Sequence, residues 1–74
     1  MPTIIVHMTP GRTDDQKRQI VKEITQVFVR QGVPAKGVTV ILNEVPAMHY
    51  ALEGEPVADK FKSVEDVDRY FGVR

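Results

Sequence analysis

Two short stretches, TIIVHM (3–8) and VTVILNEV (38–45), are apolar on both of their alternating faces. In the first, Ile4, Val6 and Met8 fall on one side and Ile5 and His7 on the other. In the second, Val38, Val40 and Leu42 oppose Ile41 and its neighbours. A strand with one face in water alternates apolar with polar residues, whereas a strand covered on both sides does not. Two such strands in a chain of 74 residues leave few architectures open, and the segment between them narrows the choice.

That segment, RTDDQKRQIVKEITQVFVRQG, reads as one long amphipathic helix from Thr13 to Gln31. Ile20, Val21, Ile24, Val27 and Phe28 form its apolar stripe. Thr13 and Gln16 have the spacing of a capping box, and Asp14 and Asp15 suit the positive end of the helix dipole. Gly32 is placed to end the helix, with Pro34 just beyond. Strand, helix, strand predicts a right-handed β-α-β unit with parallel strands. The stretch PAMHYALEGEPV (46–57) predicts a small hairpin turning near Glu53-Gly54. In SVEDVDRYFG, Ser63 is placed to cap a short terminal helix with Val64, Val67 and Phe71 on one face. The fold class is therefore α+β: a single β-α-β unit followed by a small hairpin and a short helix, in one domain spanning residues 1–74.

A chain this short seldom buries enough apolar surface to be comfortably stable, and this one has no cysteine to staple it. One helix covers one face of a two-stranded sheet, yet both faces are apolar. The second face and the strand edges are expected to be covered by other copies of the same chain. Ten basic and ten acidic residues balance, with no basic stripe, which argues against nucleic acid or an anionic membrane as partner. No apolar run approaches the ~20 residues of a membrane span, and the start lacks a signal-peptide pattern, so a cytoplasmic location is expected. No His/Cys spacing suits a metal, and neither a metal nor another cofactor is expected.

Pro2, directly behind the start methionine, is tolerated because the first residue of a strand need not donate a hydrogen bond. If Met1 is removed, Pro2 becomes a terminal secondary amine. Apolar surroundings or a nearby cation would disfavour its charged form, and an amine neutral near pH 7 is a usable general base. Arg12 stands just before the helix, where a positive charge opposes the dipole, and its planar fork suits a substrate carboxylate. The first strand rises about 3.3 Å per residue, so its two ends lie roughly 20 Å apart. If Pro2 and Arg12 work together, Arg12 has to come from another subunit.

Pro2 and the strand after it, GRTDDQK (11–17), the long helix, VTVILNE (38–44) and HYALEGE (49–55) together resemble the 4-oxalocrotonate tautomerase family, over residues 2 to 60. The resemblance implies a tautomerase-like, MIF-like β-α-β protomer, a dimer with a four-stranded sheet, and a homohexamer with active sites shared between subunits. It implies a small-molecule carboxylate substrate and enol–keto proton transfer with Pro2 as general acid/base. Arg12 of a neighbouring chain would bind the carboxylate. Tyr50 stands where the family's type member has a phenylalanine lining an apolar pocket. Thr39 stands where the type member has a second arginine, and losing a charge-assisted donor of that kind costs ~1.5–3 kcal/mol. That predicts poor turnover of 2-hydroxymuconate and a preference for generic enol acids. Lys36, next to the second strand, is the candidate substitute cation. His49 adjoins Tyr50, and Glu53 is a candidate for activating water. Two alternatives follow: a hydratase or dehalogenase of the same superfamily using a hairpin carboxylate, Glu53 or Glu55, or a non-catalytic assembly protein in which Met1 stays on. The tail beyond about residue 60 is expected to pack across a neighbouring subunit.

Overall fold

The computed structural model describes residues 1–71, with the side chains of Val64, Asp68 and Phe71 outside the description. The chain forms two compact units, Met1–Glu44 and Val45–Arg74.

The first unit is the β-α-β motif. Strand β1 (Thr3–Met8) runs parallel to β2 (Thr39–Glu44), in register from Thr3 opposite Thr39 to Met8 opposite Glu44. Between them lies helix α1 (Asp14–Arg30). Its start is the expected capping box: the Gln16 N–H donates to the Thr13 hydroxyl at 3.1 Å, and the Thr13 N–H donates to Gln16 Oε1 at 2.9 Å. Its end is satisfied by the Gln31 N–H to the Phe28 carbonyl and the Gly32 N–H to the Val29 carbonyl, both 3.0 Å. Gly32 there has φ +93°, a conformation that favours a residue without Cβ.

Helix α1 packs on β2, and the alternation of the strands shows what it covers. Ile4, Val6, Met8, Val40 and Leu42 are half-buried, as are Ile20, Val21, Ile24 and Phe28 of the helix, whereas Val27 of the expected stripe stays 47% exposed at the edge of what a two-stranded sheet can cover. The pair at the centre of the other face, Ile5 opposite Ile41, stays 52% and 45% exposed. Among the described residues no side chain is fully buried. One layer of helix on one two-stranded sheet thus leaves half of the apolar surface uncovered, as the two-faced strands imply. Further along the same open face the Asn43 amide donates to Nδ1 of His7 at 3.0 Å, so in this arrangement a neutral imidazole carries its proton on Nε2. An ion pair at 2.9 Å between Lys17 and Glu44 ties the first turns of α1 to the end of β2.

The second unit begins with a 3₁₀ turn, Ala47–His49, and continues as a hairpin of two-residue strands, β3 (Ala51–Leu52) and β4 (Glu55–Pro56), paired Ala51 with Pro56 and Leu52 with Glu55. The turn lies at Glu53-Gly54, as expected. Both residues have positive φ, 55° and 82°, the signature of the primed turns that suit the twist of a hairpin. A single helical turn, α2 (Val57–Lys60), follows; it has no sequence signal of its own. The last element is α3 (Val64–Phe71). Ser63 caps it, accepting from the Asp66 N–H at 3.2 Å, while the Asp66 carboxylate accepts from the Lys62 N–H at 2.8 Å and holds Arg69 at 2.9 Å. Val67 is half-buried, as expected of the inner face; the placement expected for Val64 and Phe71 lies outside the described residues.

Candidate active site

Pro2 precedes β1 and is anchored through its carbonyl, which accepts from the Thr39 N–H at 3.0 Å. The lack of a donor on proline therefore costs the ladder nothing, because the contact uses its acceptor. Close by, the chain leaves α1 and makes a 3₁₀ turn, Ala35–Gly37, before entering β2. The turn is closed by the Gly37 N–H to the Pro34 carbonyl at 2.8 Å and the Val38 N–H to the Ala35 carbonyl at 3.1 Å. Met1, Gly32, Val33, Pro34, Lys36 and Gly37 line a hollow of about 520 Å³. Its walls are apolar or backbone except for Lys36, which supplies the one charged side chain of the lining. A Cβ on Gly37 would lie 3.9 Å from Cγ of Met1. Met1 is itself fully exposed: it borders the hollow without filling it.

Two of the candidate residues, Pro2 and Thr39, are thus bonded at one end of the β1–β2 sheet, and a third, Lys36, lines the hollow beside Met1. Thr39 is exposed and stands opposite Thr3 in the register. Arg12 is at the other end of β1, exposed in the loop before α1, beside Gly11 with φ +135°. A six-residue strand separates Pro2 from that loop, about 20 Å at the rise of an extended chain. Within one chain Arg12 cannot serve Pro2, and among the described residues it makes no ion pair.

The remaining candidates lie in the second unit. Tyr50 directly precedes β3, half-buried, and its carbonyl accepts from the Val57 N–H at 2.7 Å across the base of the hairpin. His49 is exposed, and its N–H closes the preceding turn onto the Pro46 carbonyl at 2.8 Å. Glu53 does not simply face solvent. It accepts a short hydrogen bond from the Tyr70 hydroxyl and pairs with Lys60 at 3.2 Å. Those two contacts, the Tyr70 hydrogen bond first, hold its carboxyl below the usual carboxylate range. A carboxylate so engaged is a weaker base toward water. Lys60 also lies 3.7 Å from Glu55 and 4.6 Å above the Tyr70 ring. Among the described residues no cluster of His, Asp and Glu could hold a metal ion.

Sequence reasoning missed the hollow and the Lys60–Tyr70 pair. The hollow had a weak signal, the glycines and proline that keep 32–37 free of bulk. The pair had only one, a glutamate at a turn position that asparagine or glycine usually fills.

A family model described as "Tautomerase enzyme" matches residues 2–60. The 2-hydroxymuconate tautomerase of Bacillus subtilis is 37% identical over 60 residues, 80% of this chain and 97% of its own. Among solved structures, a 4-oxalocrotonate tautomerase homologue of the tomaymycin biosynthetic pathway superposes with a TM-score of 0.79 at 27% identity, over 84% of this chain and 97% of that one. A heterohexameric 4-oxalocrotonate tautomerase from Chloroflexus aurantiacus gives 0.74 at 27% identity, over 80% and 97%. The chain belongs to the tautomerase family, in its 4-oxalocrotonate tautomerase branch. The family match ends at residue 60, so α3 is an addition to the matched region.

Proposed function

We propose that this protein is a tautomerase that interconverts the enol and keto forms of a small unsaturated 2-hydroxy or 2-keto acid, with Pro2 as general acid/base after Met1 is removed. The observation that carries the reading is the setting of Pro2. Its carbonyl is anchored by the Thr39 N–H, and an apolar hollow with Lys36 as its cation opens beside the bond to Met1.

In this reading the neutral amine of Pro2 takes the enol hydroxyl proton, the electron pair moves through the conjugated system, and the ammonium returns the proton to carbon. No proton is gained or lost overall. Desolvation in the hollow and the charge of Lys36 both keep the amine neutral. Arg12 of another copy grips the substrate carboxylate bidentately, Tyr50 walls the apolar part of the substrate, and Lys36 stands in for the charge that Thr39 does not supply. Thr39 borders Pro2 through the N–H that anchors it and takes no proton.

Assembly is part of the same reading. Ile5 and Ile41 remain half-exposed at the centre of an open sheet face, and covering a large aliphatic side chain is worth roughly 1.5–3 kcal/mol. A second copy laid on that face removes the exposure, and a homohexamer of such dimers brings Arg12 of one chain to Pro2 of another. The hydration alternative is less favoured, because the Tyr70 hydroxyl and Lys60 both engage Oε1 of Glu53 and lower its basicity.

The test is intact-mass measurement of the expressed chain, followed by assay with phenylenolpyruvate and 2-hydroxymuconate. A mass short by one methionine, with activity that falls ~10²–10⁴-fold in Pro2→Ala, is the expected result. Retained methionine means that Pro2 is a tertiary amide without a basic lone pair, and favours the assembly reading. Equal activity of Pro2→Ala overturns the mechanism.

A further inference from the structure

The hairpin of the second unit should be a weak element. It has two residue pairs, one of which contains Pro56, and two-stranded hairpins are marginal in water even when longer. Its turn also places Glu53, a residue with a Cβ and a long side chain, at φ 55°, where Asn, Asp or Gly is the usual choice.

The side chain of Glu53 explains its presence there. Its carboxylate accepts from the Tyr70 hydroxyl and pairs with Lys60 at 3.2 Å. Lys60 lies over the Tyr70 ring at 4.6 Å and is only 17% exposed. The ring in turn meets Phe61 edge-on, 5.1 Å between centroids at 70°. Carboxylate, ammonium and aromatic ring therefore close on one another, and each member contacts the other two. Tyr70 sits on α3, beyond the matched family region, and the helix is held in shape by the Ser63 cap and the Asp66–Arg69 pair.

We propose that α3 is a clasp on the hairpin, in which Tyr70 is a positioning residue: by holding Glu53 it fixes the β3–β4 turn and, through the hairpin, the aromatic wall that Tyr50 provides. The link to Tyr50 is direct in the backbone. Tyr50 precedes β3, and its carbonyl is bonded to the Val57 N–H immediately after β4. A loosened turn leaves that bond as the main constraint on the base of the hairpin.

Hydrogen exchange of the full-length protein in its native assembly tests the clasp without reference to activity. Tyr70→Phe keeps the ring contacts and deletes only the hydroxyl. Exchange at amides 51–57 is expected to accelerate at least ~10-fold in Tyr70→Phe, with α1 unchanged, because local opening is governed by local contacts. Glu53→Ala removes the acceptor of that hydrogen bond together with the Lys60 pair and should produce a change at least as large, and adding Tyr70→Phe to it should add little, since the hydroxyl then has no carboxylate to hold. Unchanged exchange in Tyr70→Phe, or fully additive effects, overturns the clasp. The catalytic consequence rests on the tautomerase reading: Tyr70→Phe should raise KM for phenylenolpyruvate about 3–10-fold with kcat nearly retained, the pattern of lost uniform binding. An inactive wild type would defeat the tautomerase reading and leave the exchange result to decide the clasp. A normal KM together with faster exchange would show that the clasp holds the turn but not Tyr50, and would overturn the positioning role.

Discussion

The two units of this chain reach order by different means. Met1–Glu44 relies on a parallel backbone ladder and one apolar helix face, with the capping box of α1, the ion pairs Lys17–Glu44 and Arg18–Asp15 and the Asn43–His7 hydrogen bond as polar links. It leaves Ile5 and Ile41 half-exposed. Val45–Arg74 has little strand pairing, but it ties itself down with a helix cap, three ion pairs and an aromatic cluster. The first unit has apolar surface left over, the surface that the proposed assembly would cover. In the second, polar and aromatic side chains meet one another, while Met48 and Tyr70 stay 56% and 44% exposed. The difference teaches that a short chain can order itself in two ways: by a backbone ladder whose open face a neighbour can extend, and by side-chain contacts such as Tyr70 with Glu53, which join residues 17 apart.

The sharpest way to break this contrast is a charge on the open sheet face. Ile5→Asp should abolish assembly, because an unpaired carboxylate cannot be desolvated against a second sheet. Sedimentation velocity should then find a monomer, and activity should be lost with it if Arg12 comes from another chain. A variant that assembles normally would place the interface elsewhere.

The two helix caps offer a finer comparison. Thr13 and Gln16 bond reciprocally, at 3.1 and 2.9 Å, whereas Ser63 accepts one bond at 3.2 Å. Thr13→Ala should cost about 1 kcal/mol in urea unfolding, and Ser63→Ala roughly 0.5 kcal/mol, within the range measured for such caps. If Ser63→Ala proves the more damaging, α3 contributes more to global stability than its local contacts imply.

The smallest effect expected is that of pH on the clasp. Glu53 is lowered, first by the Tyr70 hydrogen bond and then by Lys60. Its contribution is therefore present above the unfolded carboxyl value of ~4.3 and is lost as pH falls through the lowered folded value. Lys60 and Tyr70 are raised, each chiefly by its hydrogen bond with Glu53. Their contributions are present below ~10 and are lost as pH rises through the raised folded values. Ring resonances of Tyr70 should thus be constant from about pH 5 to 9 and shift only outside that window. A midpoint near neutrality would mean that another group controls the contact.

The division between sequence and structure follows from the range of each interaction. Residues three or four apart write their own evidence into the chain. Thr13 with Gln16, the stripe from Ile20 to Phe28 except for Val27, Gly32 at the helix end and the turn at Glu53-Gly54 were legible in advance, and the helix expected over Thr13 to Gln31 is Asp14–Arg30 with those two residues as its caps. The parallel pairing was legible too, because an uninterrupted helix of that length between two strands permits little else. Pro2 and Arg12 could be nominated from position and chemistry, and strand length alone ruled out their meeting within one chain. Three features needed the fold. Tyr70 reaches Glu53 across 17 residues, a spacing that no local periodicity encodes. Met1 faces Gly37, and Lys36 lines one hollow with Met1, only because the register sets Thr3 against Thr39. Short-range order is dictated by steric and hydrogen-bonding rules acting on neighbours in the chain, while the hollow and the clasp exist only where packing brings distant residues to one place.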